Sequence, residues 1–168
     1  MIRSILYATD LGIYAPAVMQ HALGMARSFS ADLFVVHVVE PMGLFAESVL
    51  QSYLDEQTLS ELHQQGMSTM LSNIELRVFE SLREELAGWE QELALIRSVK
   101  VIQGEPSQVI LEQSQKLSVD LLILGSHAQP AGGESHLGRT AARVIELAQI
   151  PVYLVPLLQR RRSADVQG

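Results

Sequence analysis

The sequence predicts an α/β fold: a single domain built on a doubly wound, five-stranded parallel sheet. Three observations lead there. Short apolar runs such as Leu121-Leu-Ile-Leu124, halted by Gly125, lack polar alternation and so read as strands buried on both faces. Between them lie longer stretches with apolar residues every three or four positions, the pattern of helices packed on a sheet. The resulting alternation of strand and helix requires crossover connections, and these make the strands parallel and the connections right-handed.

Composition sets the limits. The 168 residues suit one domain with a sizeable core, and 48% of them are hydrophobic. We expect that domain to span 1–157, followed by a polar, disordered tail at 158–168 containing Arg160-Arg-Arg162. A formal net charge of −7 argues against a nucleic-acid partner, which needs a basic footprint. No cysteine is present, which excludes disulfides and thiol chemistry. No apolar run approaches membrane-spanning length, and Ile5 to Ala8 is too short for a signal-peptide core. The expectation is a cytoplasmic protein without a membrane partner.

Taken in order, Ser4–Ala8 is the first strand and Asp10 stands where it stops. Gly12 loosens the turn. A helix over Ala15–Phe29 turns Ala15, Val18, Met19, Ala22, Met25, Ala26 and Phe29 inward. Leu33–Val39 is a second strand with His37 inside it. Pro41–Tyr53 is an irregular or short helical insert carrying Met42, Leu44, Phe45, Val49 and Leu50, read as a flap over the core. From about Leu59 a long helical pattern follows, its stripe running from Met67 through Met70, Leu71, Ile74, Val78, Leu82, Leu86 and Trp89 to Leu93, with Gly88 ending or bending it.

Ser98–Gln103 is the third strand, and Gly104-Glu-Pro106 turns into a helix over Ser107–Leu117. Pro106 suits that helix start because its missing N–H costs nothing there. Leu121–Leu124 is the fourth strand, Gly125–Gly138 a polar loop, and Thr140–Ala148 a helix with Ala141, Val144, Ile145 and Ala148 on one face. Pro151–Val155 supplies the last strand.

The loop before the last helix carries the most chemistry. A helix N-terminus offers unpaired N–H groups and partial positive charge, and glycines let the backbone approach a ligand closely. The ligand such a unit favours is a phosphate. The other candidates are plain. His21, His37 and His63 have no ligand-spaced partner, so no metal site is expected, while His127 and His136 flank the loop. No Ser-His-Asp order or carboxylate pair calls for catalysis.

Gly125-Ser-His-Ala128, nine further residues, then Gly138 and Arg139-Thr140 resemble the universal stress protein family. Its nucleotide-binding members carry Gly, two residues, Gly, nine residues, Gly, then Ser or Thr. Ile5-Leu-Tyr-Ala-Thr-Asp10 is similar to the family's first strand, and Gly104-Glu-Pro106 to its Gly-Glu-Pro turn. The resemblance implies a Rossmann-like fold and a regulatory module of the stress response that binds ATP or AMP, with or without Mg. By that likeness the adenine lies between Asp10, the Val38 backbone and Leu124, beside Ala8 and Thr9. The phosphates lie on Gly125, His127, Ala128, Gly138, Arg139 and Thr140.

Two positions depart from the pattern. Ala128 replaces the second glycine, and Arg139 takes the place of the hydroxyl residue. The methyl of Ala128 restricts the backbone, while Arg139 offers a guanidinium that binds phosphate well. The alternative is therefore a nucleotide-free homodimeric interaction protein with a decayed site. Slow ATP hydrolysis is the most that catalysis would amount to. In either reading the resemblance implies a homodimer formed through Pro151–Pro156.

Overall fold

The chain lays five strands side by side, all parallel, in the order β3-β2-β1-β4-β5. The strands are β1 (Ser4–Thr9), β2 (Asp32–Val39), β3 (Ile96–Gln103), β4 (Leu121–Gly125) and β5 (Val152–Val155). The helices are α1 (Ala15–Phe29), α2 (Glu56–Glu61), α3 (Met67–Glu85), α4 (Glu90–Leu93), α5 (Pro106–Lys116) and α6 (Arg139–Leu147). This computed structural model describes residues 1–12, 14–41, 43, 48–49, 52–61, 64, 66–88, 90–126 and 137–156. The expected tail, Trp89, His63, and Met42, Leu44, Phe45 and Leu50 of the insert lie outside them.

Strand residues alternate between two cores. On one face Ile5, Tyr7, Leu33, Val35, Leu121 and Ile123 meet Val18, Ala22 and Ala26 of α1 and Val78 and Leu82 of α3. On the other, Leu6, Val36, Leu122 and Leu124 meet Ile110 of α5 and Ala141 and Val144 of α6. Helices thus cover both faces, which is why the central strands have no polar side. No helix among the described residues is long and apolar enough to cross a membrane.

Helix faces are narrower than periodicity suggests. Phe29 ends α1 at 45% exposure, just before Ser30, whose left-handed φ of 52° turns the chain away. Leu23, not among the expected core positions, is buried instead. In α6 only Ala141 and Val144 are buried; Ile145 stays exposed, and Ala148 is already the extended cap residue. The long stripe is divided between α3 and α4, with only Val78 and Leu82 buried among the described side chains of α3 and Met70 exposed. Ile74 and Leu86 pack at the margin, so the first turns of α3 lack a sheet beneath them.

The start of β1 and the body of β3 are tied by side chains from distant sequence. Asp120, just before β4, accepts hydrogen bonds from the N–H groups of Arg3 (2.8 Å) and Ser4 (3.1 Å). On β3, an edge strand, the N–H of Val101 donates to Oε1 of Glu75 from α3 at 2.9 Å. β5 forms the opposite edge. Its carbonyls at Pro151 and Val155 accept from Leu122 and Ser126, so by the alternation of a parallel ladder the N–H groups of Val152 and Leu154 point outward.

Candidate functional site

The chain leaves β1 towards β2 and leaves β4 towards β5, in opposite directions across the sheet. Where two adjacent parallel strands send their connections to opposite sides, a crevice opens at their carboxyl ends. A cleft of about 590 Å³ occupies that place, within the range of small-molecule sites.

Most of the residues expected at a site come together here. Ala8, Thr9 and Asp10 line the cleft from the end of β1, and Val38 from β2. Leu124 and Gly125 line it from β4, and Gly138, Arg139 and Thr140 from the start of α6. His127 and Ala128 lie outside the described residues. The cleft also takes in Tyr14, His37, Glu40 and Ser126, which the sequence did not single out as site residues. For His37 a signal was present: it directly precedes Val38 in the strand. Nothing local marks Tyr14.

The corner after β1 is fixed by its own polar side chains. Oγ1 of Thr9 accepts from the N–H of Leu11 at 3.1 Å, and Oδ1 of Asp10 accepts from the N–H of Gly12 at 2.9 Å. The left-handed residue of this turn is Leu11, with φ of 58°, and not the neighbouring glycine. A leucine tolerates that conformation only where the surroundings impose it. Nδ1 of His37 lies 2.8 Å from the Thr9 carbonyl oxygen. A carbonyl only accepts, so Nδ1 carries the proton and donates.

The opposite wall is a helix start. Gly138 caps α6 without any side-chain hydrogen bond. Its N–H donates to the Ser126 carbonyl at 2.8 Å, drawing together the two ends of the glycine-bearing loop. The N–H groups of the first turn of α6 have no partner within the helix and carry its partial positive charge. Arg139 is exposed and Thr140 half-buried at that point. The cleft therefore has carboxylates of Asp10 and Glu40 at the strand ends, and amides, a guanidinium and a hydroxyl at the helix end.

Pro106 of α5 closes a further side. Glu105 caps that helix, accepting from the Ser107 hydroxyl (2.6 Å) and the N–H of Gln108 (2.8 Å). These bonds, the Ser107 hydroxyl first, hold its carboxyl below the usual glutamate range.

Sheet order and cleft define the class: a doubly wound α/β protein open at the carboxyl ends of its central strands. Within that class the chain belongs to the universal stress protein family, whose profile matches residues 1–156. A universal stress protein of Thermus aquaticus is 29% identical over 155 residues, covering 92% of this chain and 99% of its own. Universal stress protein MJ0577 of Methanocaldococcus jannaschii is 23% identical over 158 residues, covering 92% and 95%. The solved structure of MJ0577 superposes with a TM-score of 0.67 at 24% identity, covering 94% of this chain and 98% of that one. A universal stress protein solved in complex with cAMP gives 0.53 at 13% identity, covering 92% and 97%. Likeness at such identities establishes the shared fold.

Proposed function

We propose that the protein is a regulatory module of the stress response that binds an adenine nucleotide in the cleft at the sheet's switch point. The observation that carries this reading is the opposition of two walls around one cleft. Asp10 and Val38 stand on one side, and the uncapped first turn of α6 with Arg139 and Thr140 stands on the other. A base with hydrogen-bonding edges suits the first wall, and a phosphate suits the second. The cAMP complex of a structurally similar protein supports the same ligand class. ATP and AMP are the ligands we infer. Where magnesium accompanies the nucleotide, it would be held chiefly by the phosphates.

Two experiments test this. Denaturing the purified protein and chromatographing the supernatant reveals any nucleotide carried along. Titration calorimetry with ATP and AMP then gives the affinity, and Arg139→Ala should weaken it by about 1.5–3 kcal/mol, the scale of a charge-assisted hydrogen bond. Equal affinity in the two proteins would remove Arg139 from the site, and no binding by either would favour the nucleotide-free reading.

We further infer a homodimer through β5. The open edge of that strand supports it, with the outward N–H groups of Val152 and Leu154 available to an antiparallel copy. Sedimentation equilibrium measures the mass directly.

A further inference from the structure

Beyond the residues assigned to the nucleotide, one side chain links both halves of the base-binding wall. We propose that His37 is a positioning residue, whose ring ties the end of β1 to the end of β2 and so fixes Asp10 against Val38. The inference rests on the nucleotide reading of the cleft and adds to it a residue that holds the wall in register.

Thr9 and His37 are register partners, and theirs is the last pair between β1 and β2. Beyond it β2 continues to Val39 while β1 turns off at Asp10. The β1–β2 ladder thus ends before Asp10, while Val38 stays paired with Ile102 of β3. The two hydrogen bonds of the Asp10 corner, to Leu11 and Gly12, lie within the turn and fix its shape, not its place beside β2. The bond from His37 Nδ1 to the Thr9 carbonyl, at 2.8 Å, crosses between the strands at their last register pair.

The two residues it joins directly precede Asp10 and Val38. Loss of the bond would remove a side-chain tie between the two strand ends and let a turn containing a left-handed leucine relax away from β2. The chemistry required is modest: one N–H at the position of Nδ1. The amide nitrogen of an asparagine reaches nearly the same point, whereas leucine fills the space without a donor.

The test compares wild type, His37→Leu and His37→Asn by AMP titration calorimetry and by NMR hydrogen exchange of the Leu11 and Gly12 amides. His37→Leu should weaken AMP binding roughly tenfold, the scale of one lost hydrogen bond, and speed exchange at both amides. His37→Asn should restore both values. A generic packing role would not separate the two variants in this way. Unchanged affinity or unchanged exchange in His37→Leu, or an asparagine variant that behaves like leucine, would overturn the inference. If wild type bound no AMP, the nucleotide reading would fall and this inference with it. Wild-type binding beside an indifferent His37→Leu would sink this inference alone.

Discussion

Gly104 has no side chain, and a Cβ placed there would lie 2.6 Å from Cγ2 of Val109. Val109 is buried in the first turn of α5, so the clash has little room to relax. Gly104→Ala should cost about 1–3 kcal/mol, the usual cost of overpacking, read as a lower urea midpoint; an unchanged midpoint would show that Val109 yields freely. The sequence marks Gly104 as a turn residue, yet what it needs is space. Asp120 is a similar case. It looks like a polar lead into β4, and only the fold brings it to the amides of Arg3 and Ser4. The N–H of Arg3, followed by the groups of Ser4, holds its carboxyl below the ordinary aspartate range. A folded-state pKa below the unfolded one stabilises the protein above the unfolded value, near about 4, and that stability is lost as pH falls through the folded value. Urea midpoints of wild type and Asp120→Asn should therefore differ at pH 7 and converge in acid. A gap independent of pH would mean that the charge on Asp120 contributes nothing.

Helices and strands were legible where local pattern decides them, and illegible where a neighbour does. Ala15–Phe29 is a helix by periodicity and by structure, but whether Phe29 is covered depends on where the sheet beneath it ends. The same holds for Met70, Ile145 and the overhanging turns of α3. At the site, the ends of β1 and β4 and the start of α6 were visible as motifs, whereas Tyr14 joins them only because the cap of α1 folds over the cleft, and His37 through its alignment with Thr9. Val155 is 4% exposed and belongs to the core, so the proposed partner at the edge of β5 would be met through the strand's backbone. Val152→Pro removes one outward N–H while leaving the ladder to β4 intact, since proline is tolerated at such positions. Sedimentation equilibrium should then show a weakened dimer and circular dichroism an unchanged fold. A dimer of full strength would place the contact elsewhere, with the exposed start of α3 as the next candidate.

At the scale of the molecule, the order β3-β2-β1-β4-β5 puts the first strand at the centre, flanked by the second and fourth, and leaves two margins. The margins differ in kind. At β5 the outward N–H groups belong to an apolar strand, and at β3 the Val101 N–H is already taken by Glu75. A sheet with two receptive margins is divalent: each copy accepts one neighbour on either side, and growth has no natural end. Occupying one margin makes the subunit monovalent, and a monovalent, self-complementary subunit stops at a pair. Glu75→Ala should restore the second valence, seen in sedimentation velocity as species that grow with concentration beyond the wild-type size. If the size distribution stays fixed, the bulk of α3 alone closes that margin. If the proposed dimer forms through β5, the carboxylate of Glu75 would thus act as a chain terminator for assembly, limiting how many partners a copy can hold.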